Sequence, residues 1–353
     1  MKTLPIKSLP YSFGAMHALV DFASAAVIYH AIRSNNLDIA AMFNTIVGYD
    51  ILAFGSQVFL GMLTDRFRSP RPVMLSGFAF IALSMFLSGP LPMAAAVVVG
   101  LGNALFHVGA GAVSLRVSPG KAIWPGVFVG PGAIGLAFGI RYGKQGVFPE
   151  PVLIGLIVIS IVLALFAHLP EMPYKAPPSR PPVRFGAMIV ILLMVTVLVR
   201  SVGGMIGGGY CAKTPYTALY IAGAAFLGKC LGGWIADRFG WLKVSVAMLL
   251  VSAPMIAYGY TWLPVIIGGM LLFQMTMPVT LVAIAQVMPR RPATAFGLTC
   301  LALILGALPT FNEFIQPYRS HHAVFALVLF SAITTAVALL MLRKSVSRAE
   351  SPV

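Results

Sequence analysis

Seven polar side chains lie inside long apolar stretches of this sequence, where charged and strongly hydrogen-bonding groups are rare. They are His17, Asp21, Asp50, Gln57, His107, Arg200 and Lys229. A charge in the middle of a bilayer costs on the order of a few kcal/mol, so such residues usually serve a function. Asp21 follows His17 by four residues, which places both on one face of a helix. We therefore predict that the seven residues bind a substrate or couple its movement to an ion.

The acids and the histidines in this set are suited to exchanging a proton. Burial disfavours the charged form of a carboxyl group and a nearby cation favours it, so Asp21 or Asp50 could gain and lose a proton as its partner changes. His17 and His107 could titrate near neutral pH. Two alternatives remain open: the histidines are hydrogen-bonded packing residues, or the charges only form a structural ion pair.

The two cations of the set favour an anionic or zwitterionic substrate. Arg200 offers the planar geometry that binds a carboxylate or a phosphate through two hydrogen bonds, and Lys229 offers a point charge. Gln57 follows Asp50 by seven residues and so shares its helix face. These residues are candidates for the lining of a substrate path.

The composition excludes an ordinary soluble protein. The 353 residues are 59% hydrophobic and only 9% charged, against roughly 25% charged residues in soluble domains, so the natural solvent of this chain is lipid. The net charge of +15 is carried by short clusters between apolar runs, without the basic, aromatic face that nucleic-acid binding needs. We expect a lipid bilayer and a small-molecule substrate as partners, and no nucleic acid.

The sequence predicts neither an enzyme nor a cofactor or metal site. The three cysteines, Cys211, Cys230 and Cys300, lie in or beside apolar segments and lack the spacing of metal ligands. That pattern is typical of buried free thiols. A nucleophile paired with a base at the membrane face is also missing from the pattern. We therefore expect no catalysis.

Twelve apolar runs are long enough to cross a bilayer as helices, which takes about 20 residues each. They cover residues 11–32, 39–63, 72–88, 92–115, 122–141, 151–168, 186–207, 216–236, 243–260, 262–287, 294–312 and 322–342. A proline-rich polar stretch between the sixth and seventh runs has the composition of an extended linker. The predicted fold is all-α and integral to the membrane, with a six-helix half at 1–169, a cytoplasmic linker at 170–185 and a second six-helix half at 186–353.

A repeated heptapeptide supports this division into halves. Gly-Met-Leu-Thr-Asp-Arg-Phe at 61–67 returns as Gly-Trp-Ile-Ala-Asp-Arg-Phe at 233–239, so Asp65 and Asp237 hold equivalent positions in the two copies. The offset between the copies also aligns Gln57 with Lys229. Because this offset is close to half the length of the chain, it indicates two similar folding units. We therefore predict two six-helix pseudo-repeats.

The distribution of cations predicts the orientation. With the amino terminus inside, seventeen Lys and Arg residues fall on the cytoplasmic side and five on the opposite side. This asymmetry follows the positive-inside rule, and the clusters would face anionic headgroups. We expect a monomer in the inner membrane of the cell, with both termini cytoplasmic.

At the repeated heptapeptide the chain resembles the major facilitator superfamily of transporters. The loop signature of that family is Gly, three residues, Asp, Arg or Lys, one residue, Gly and then basic residues. The matching residues are Gly61, Asp65 and Arg66 in the first copy and Gly233, Asp237, Arg238 and Gly240 in the second. The first copy has Arg68 in place of the second glycine. The resemblance implies two halves that rock about a substrate site near the middle of the membrane.

The resemblance also implies that the two loops form a cytoplasmic gate, in which Asp65 and Asp237 pair with arginines of neighbouring helices. The alternative is that the two aspartates only cap helices and neutralise the basic loops around them. The duplication places both at equivalent positions, which favours the gate.

A glycine-rich segment in the fifth span resembles the antiporter signature of the same family, which is Gly, three residues, Gly-Pro, two residues and Gly-Gly. The matching residues are Gly126, Gly130, Pro131 and Gly135, with Ile134 where a glycine is expected. Small residues at this spacing let helices approach closely, and Pro131 releases one backbone hydrogen bond. Helix packing is the primary interpretation of these four residues.

Three stretches resemble the fosmidomycin-resistance branch of the family: residues 16–21, residues 102–107 and the pair Arg200-Ser201. That branch implies drug efflux driven by proton entry. The chain departs from it after His107, where Val108 and Gly109 replace the Pro and Glu that are usual there.

The sequence therefore predicts a secondary active transporter that moves a small solute by alternating access. Proton-coupled efflux of a small organic or drug-like molecule is the leading hypothesis. Uptake of a small organic anion is the first alternative, because of Arg200 and Lys229. A membrane receptor that has the fold without transporting is the second alternative, since a fold does not decide a function.

Overall fold

The computed structural model describes residues 6–171, 183–211, 214–312, 315 and 319–350, and the regular structure of these residues is helical. The α helices are α1 (Leu9–Ser34), α2 (Ile39–Asp50), α3 (Gln57–Phe67), α4 (Pro70–Leu87), α5 (Pro92–Val117), α6 (Ile123–Gln145), α7 (Glu150–Phe166), α8 (Gly186–Cys211), α9 (Pro215–Phe239), α10 (Trp241–Tyr258), α11 (Leu263–Gln274), α12 (Met277–Val287), α13 (Pro292–Ala307) and α14 (His321–Glu350). Shorter turns are the 3₁₀ turns Ile6–Ser8 and Leu308–Phe311 and the π-helical turn Ile51–Gly55.

Eleven helical stretches of the described residues are long and apolar enough to cross a membrane, and a twelfth, Glu150–Phe166, is apolar but shorter. Their positions follow the twelve predicted runs: the run predicted at 92–115 is α5, and the run at 216–236 is α9. The prediction of an all-helical membrane protein is confirmed, with eleven to twelve spans. Length and hydropathy are local properties, so the sequence contains them directly.

Two spans are interrupted where the local sequence breaks the helical hydrogen-bond ladder. Between α11 and α12, Pro278 has no N–H to donate to the carbonyl of Gln274, four residues earlier, and α11 ends there. Between α2 and α3, the π-helical turn Ile51–Gly55 follows Asp50 directly. Such turns inside helices are frequent at functional sites.

The chain divides into two compact units. The first comprises Met1–Val117, Val127–Glu171 and Pro292–Leu301, and the second comprises Ser118–Gly126, Met172–Arg291 and Ala302–Val353. Thus the first turn of α6 belongs to the second unit and the first ten residues of α13 belong to the first. The predicted halves and their six-helix repeat remain predictions, and residues 172–182 of the predicted linker lie outside the described residues.

In the first unit, α1 lies between α5 and α6. Helix α5, the most buried span, packs against both α1 and α4, and a Cβ atom at Gly77 of α4 would lie 2.7 Å from the carbonyl oxygen of Gly102. On the other side of α1, a Cβ atom at Gly139 of α6 would lie 2.9 Å from the Cβ of Ala25. The small residues therefore bring three backbones close enough for their side chains to share one site.

The second unit has its own apolar core. Helices α8 and α10 both pack against α14, and α9 packs against α11. Among the buried residues of this core are Leu249, Ile256, Phe273, Val324 and Val328. Burial of this kind contributes roughly 25 cal/mol per Å² of apolar surface in water, but between helices in lipid it acts through close packing.

Candidate functional site

Two histidines and one aspartate meet inside the first unit. The Nε2 atoms of His17 on α1 and His107 on α5 lie 2.7 Å apart. The carboxylate of Asp21 lies 3.1 Å from Nε2 of His17 and 3.6 Å from Nε2 of His107. All three side chains are largely buried, with 7% of each histidine and 17% of the aspartate exposed. We call these three residues the proton cluster.

The backbone determines which nitrogen of each ring carries a proton. Nδ1 of His17 lies 2.9 Å from the carbonyl oxygen of Phe128, and Nδ1 of His107 lies 2.8 Å from that of Asn103. A carbonyl oxygen only accepts, so both Nδ1 atoms donate. In the neutral ring each Nε2 then carries a lone pair and no proton. Two lone pairs at hydrogen-bond distance do not attract each other, so this contact is favourable when one of the two Nε2 atoms carries a proton.

Asp21 supplies the charge that balances this proton. The His17–His107 pair with its shared proton is an imidazolium beside a neutral imidazole, and an adjacent carboxylate favours that cation. Asn103 donates from Nδ2 to Oδ1 of Asp21 at 3.0 Å and to Oγ of Ser24 at 3.3 Å. The cluster can therefore hold one proton and pass it between Nε2 and the carboxylate.

Aromatic rings and a glycine enclose the cluster. The ring of Phe128 lies 4.9 Å from that of His17, and the ring of Phe296 on α13 lies 6.5 Å from that of His107. A Cβ atom at Gly132 would overlap Nε2 of His17 and lie 2.6 Å from Oδ2 of Asp21. Gly132 thus leaves the space into which the carboxylate and the histidine project.

A metal ion is a poorer fit to the three side chains than a proton. Each offers one ligand atom, and these atoms lie within 4.8 Å of one another. Zinc binds histidine nitrogen at about 2.0–2.1 Å, which separates two such nitrogens in a tetrahedral site by about 3.3 Å. The distance of 2.7 Å between the Nε2 atoms is instead a hydrogen-bond distance.

Asp50 lies on α2, next to the π-helical turn, and is half-buried. It acts electrostatically on Tyr29 of α1 and on its neighbour Tyr49, which is also within the field of Asp21. The Tyr49 hydroxyl also interacts with the side chain of Ser24. A chain of polar side chains therefore runs from α2 to the proton cluster.

Arg200 lies in the second unit with only 6% of its surface exposed. Its Nη2 donates to the carbonyl of Phe273 at 2.9 Å, and the guanidinium lies 4.8 Å from the centre of the Phe273 ring. Its Nε is shielded from solvent and has no hydrogen-bond partner among the residues that the structure describes. A buried donor without a partner is costly, so this nitrogen is available to an incoming acceptor.

The repeat-equivalent residues Gln57 and Lys229 make corresponding backbone contacts. A Cβ atom at Gly297 would lie 2.6 Å from the carbonyl carbon of Gln57, and one at Gly126 would lie 2.5 Å from the carbonyl oxygen of Lys229. The Gln57 side chain is buried and donates to the carbonyl of Ala53 at 2.6 Å. The amide oxygen of Gln57 is shielded from solvent, and no described residue donates a hydrogen bond to it. Lys229 is half-buried.

Asp65 caps the amino terminus of α13. Its carboxylate accepts from the backbone N–H groups of Ala293 and Thr294, at 3.1 and 2.8 Å, and from the Thr294 hydroxyl at 2.7 Å. One turn earlier, a Cβ atom at Gly61 would lie 2.5 Å from the carbonyl oxygen of Ala293. The glycine therefore permits the close approach and the aspartate binds the free helix amides.

Asp237 makes the same kind of contact with α6. It accepts from the N–H groups of Ala122 and Ile123, at 2.9 and 3.0 Å, and from the Trp241 indole at 2.9 Å. A Cβ atom at Gly233 would lie 2.8 Å from Cα of Ile123. The two copies of the heptapeptide are thus clamps on helices that are distant in sequence.

The cations of the two clamps lie at the ends of their helices. Arg66 and Arg238 are exposed in the last turns of α3 and α9, where a positive charge is favourable. The signature position of the second glycine has a positive φ in both copies, 56° at Arg68 and 99° at Gly240. Arg68 has the left-handed helical conformation, which favours glycine but admits a single non-glycine helix cap. Gly240 combines its positive φ with a ψ of 130°, a conformation that glycine adopts readily. The Asp–Arg pairing that the resemblance implies remains a prediction.

The glycine segment of the fifth span lies in α6. A Cβ atom at Gly135 would lie 2.7 Å from Cα of Ala18 on α1, and the ring of Pro131 faces Gly14 of the same helix. Gly126 lies against Lys229, as described above, and Gly130 is buried. The residue of this segment that borders the proton cluster is Gly132, which is not among the predicted site residues.

Asn103, Ser24 and Thr294 also belong to these sites, although the sequence analysis did not select them. Asn103 precedes His107 by four residues, so their shared helix face was visible in the sequence. Thr294 stands in the first turn of a helix, where hydroxyl groups often take part in capping the free backbone amides. Ser24 carried no such signal, because a serine in an apolar span usually bonds to its own helix.

The fold of this chain is similar to that of solved structures, whereas its sequence has no match. No protein-family model and no curated protein sequence matches the chain. Solved structures do: a variant of the E. coli fucose:proton symporter FucP has a TM-score of 0.69 at 10% identity, covering 96% of this chain and 98% of that one. The fold is that of a major facilitator transporter. FucP in its outward conformation has a TM-score of 0.66 at 12% identity, with 95% and 99% covered.

The human organic anion transporter MFSD10 (TETRAN) is similar as well, with a TM-score of 0.64, 13% identity and coverage of 96% and 100%. At these identities the likeness establishes the major facilitator fold. This confirms the predicted resemblance as far as the fold is concerned, and it agrees with the prediction of a multi-pass membrane protein. These structures are transporters and not enzymes, as predicted for this chain. The fosmidomycin-resistance branch stays a prediction.

Proposed function

We propose that this protein is a proton-coupled secondary active transporter that moves a small solute by alternating access. The observation that carries the proposal is the separation of 2.7 Å between Nε2 of His17 and Nε2 of His107 beside the carboxylate of Asp21, an arrangement that supports a proton held between these groups. The cluster lies in a chain with a major facilitator fold. FucP, which has this fold, is a fucose:proton symporter.

The geometry couples proton movement to helix contact. When the shared proton moves from Nε2 to the carboxylate of Asp21, the N–H bond breaks and an O–H bond forms. Two neutral imidazoles then face each other with lone pairs at hydrogen-bond distance, and this contact is no longer attractive. Because His17 is on α1 and His107 on α5, loss of the proton weakens the contact between these two helices. Protonation would thereby bias the equilibrium between two helix arrangements.

We propose that the two clamps form the cytoplasmic gate. Each of Asp65 and Asp237 holds the first turn of another helix through two backbone amides. Opening breaks these bonds as a set, so the gate has two discrete states instead of a continuous range. The positive-inside distribution of cations supports the cytoplasmic placement of both clamps and of both termini. We propose a monomer in the inner membrane.

We propose efflux as the direction of transport. The support is the resemblance of residues 16–21 and 102–107 to the fosmidomycin-resistance branch, together with the glycine segment of α6 that resembles an antiporter signature. Proton entry through His17, His107 and Asp21 would then drive a small organic or drug-like molecule outward.

Uptake of a small organic anion is the second candidate. It is favoured by the buried Nε of Arg200, which no hydrogen-bond partner from the described part of the chain reaches, because a guanidinium binds carboxylate in preference to neutral groups. MFSD10, which shares the fold, is an organic anion transporter. Lys229, half-buried in α9, would add a second positive charge to the path.

Proteoliposomes with a pH-sensitive dye inside separate these candidates. The purified protein is reconstituted, an inward or outward pH gradient is imposed, and fosmidomycin, l-fucose or benzoate is added in turn. We expect one solute to move protons in wild type, with its direction giving efflux or uptake. His17→Gln, Asp21→Asn and His107→Gln should abolish the coupled proton movement.

His30→Gln is the matched control, because His30 is on the same helix and stacks on Phe148 outside the cluster. It should retain wild-type proton movement. Solute counterflow that ignores the pH gradient, or full coupling in His17→Gln, would overturn the proton-coupled mechanism. A protein that binds solutes but never moves them would instead be the receptor.

A further inference from the structure

Asn103 touches both ends of the site that holds the proton. Its backbone carbonyl accepts from Nδ1 of His107 at 2.8 Å, and its side-chain amide donates to Oδ1 of Asp21 at 3.0 Å. The residue is 2% exposed. One residue thus contacts the base and the acid between which the proton would move.

The two contacts favour the same location of the proton. The carbonyl holds the proton of His107 on Nδ1, so Nε2 must face His17 as an acceptor or as the donor of the shared proton. The amide donates to the charged form of Asp21, which hydrogen bonds of this kind stabilise. The amide therefore keeps Asp21 ionised, and the carbonyl leaves Nε2 of His107 able to hold the extra proton.

The amide of Asn103 is itself held from α1 and, through it, from α2. Its second hydrogen bond goes to Oγ of Ser24, which is fully buried, and the side chain of Ser24 interacts with that of Tyr49. Tyr49 stands beside Asp50 at the π-helical turn. A change in α2 can therefore reach Asn103 through Tyr49 and Ser24.

The groups facing the cluster from the surrounding described helices are few. The titratable side chains are His17 on α1, His107 on α5 and, from α2, Tyr49 with Asp50 behind it. Helix α6 contributes Phe128 and Gly132, and α13 contributes Phe296, and these three residues do not titrate. Among these neighbours, Asn103 is the amide that both Asp21 and Ser24 contact.

We propose that Asn103 is the positioning residue that determines where the proton rests. With its amide on Asp21, the proton stays on the His17–His107 pair. Withdrawal of the amide, through Ser24 and Tyr49, transfers the proton from Nε2 to the carboxylate of Asp21. This inference rests on the proposed proton-coupled function and assigns the control of that step to a residue that need not carry the proton.

The test measures protonation directly and needs no substrate. Purified protein in nanodiscs is titrated with acid while infrared spectroscopy follows the carbonyl band of a protonated carboxyl group, assigned to Asp21 by its loss in Asp21→Asn. In Asn103→Leu the band should appear at a pH higher by about one to two units than in wild type, because a donor to the charged form is gone. Ser24→Ala should shift it in the same direction and by less, since the amide is only freed.

Ser114→Ala is the matched control on α5, because Ser114 is buried and its hydroxyl donates to the carbonyl of Gly111. It should leave the band where it is in wild type. Ser24→Ala removes one oxygen atom, so it provides the answer if Asn103→Leu does not fold. An unmoved band in folded Asn103→Leu, or in Ser24→Ala when Asn103→Leu is unfolded, would overturn the role of Asn103 alone. A wild type in which Asp21 and the histidines show no protonation change would overturn the proton cluster, and this inference with it.

Discussion

Asp65 and Asp237 hold equivalent positions in the repeated heptapeptide, and each binds the first backbone amides of a helix that is remote in the sequence. Asp65 accepts from Ala293 and Thr294, and Asp237 from Ala122 and Ile123. The capped helices are themselves separated along the chain by nearly the same interval as the two aspartates. The sequence leaves a gate and helix capping as alternatives. In the structure the aspartates cap, and the helices that they cap are not their own.

Neutralising either clamp should weaken its helix contact. In Asp65→Asn and Asp237→Asn the amide can still accept one hydrogen bond, but the negative charge at the helix amino terminus is lost. We expect each to lower the free energy of unfolding by about 1 kcal/mol and to change the rate of solute counterflow. Thermal unfolding in nanodiscs and counterflow in proteoliposomes provide the two measurements.

Asp38→Asn is the control for the clamps, because Asp38 caps its own helix α2 by accepting from Ala41 at 2.7 Å. It should lose a similar amount of stability with no change in counterflow. Equal counterflow in Asp38→Asn, Asp65→Asn and wild type would show that the clamps are structural caps and no gate.

The glycines of the clamps should not tolerate a methyl group. Gly61→Ala would place a Cβ atom 2.5 Å from the carbonyl oxygen of Ala293, and backbone cannot move aside as a side chain can. We expect a loss of about 1–3 kcal/mol in thermal unfolding. Gly48→Ala, in the same span with nothing within 4 Å of its added Cβ, should instead gain up to about 1 kcal/mol. If the two variants unfold at the same temperature, the close approach at Gly61 is absent.

Gly132→Ala should disrupt the geometry of the proton cluster and so test its role in proton movement. The added methyl group would overlap Nε2 of His17 and approach Oδ2 of Asp21 to 2.6 Å, so the histidine ring must move away from His107. We expect a strong decrease in gradient-driven proton movement, by roughly tenfold for a loss of about 1.4 kcal/mol. Dye-loaded proteoliposomes measure it. Gly155→Ala is the control, because no described atom lies within 4 Å of its added Cβ, and it should move protons as wild type does. Wild-type proton movement in Gly132→Ala would contradict the close contact of Gly132 with His17 and Asp21.

Arg200 should be a residue whose removal increases stability and removes function. In Arg200→Met an apolar chain of similar length replaces the buried charge, whose Nε has no hydrogen-bond partner within the described ranges of the chain. Replacing a poorly compensated buried charge often stabilises by about 1–4 kcal/mol, so we expect unfolding at a higher temperature together with loss of benzoate binding.

The control for this change is Arg33→Met, because Arg33 is exposed and donates to the carbonyl of Lys144. Its effect on unfolding should be within about 0.5 kcal/mol. Wild-type affinity for benzoate in Arg200→Met would argue against the organic-anion hypothesis, whatever happens to stability.

The membrane class and the positions of the spans were accessible from the sequence alone. Each span is a continuous run of apolar residues, and its limits depend on nearby residues such as Pro92 at the start of α5. The duplicated heptapeptide identified both clamp residues, because its two copies share the same Gly, Asp, Arg and Phe positions. The pairing of His17 with Asp21 on one helix face was also visible, since a spacing of four residues sets it.

The partners of these residues were decided only by the tertiary structure. His107 meets His17 from 90 residues away, and Thr294 meets Asp65 from 229 residues away. No local pattern encodes such contacts, because they arise from which helix backbones approach closely, and glycines such as Gly61 and Gly132 determine that approach. The sequence by itself therefore determined which residues are costly in lipid. The tertiary structure decided that two of them, His17 and His107, meet at hydrogen-bond distance, and that Asp65 and Asp237 hold the ends of distant helices. A hydrogen bond depends on atoms that packing brings within about 3 Å of each other.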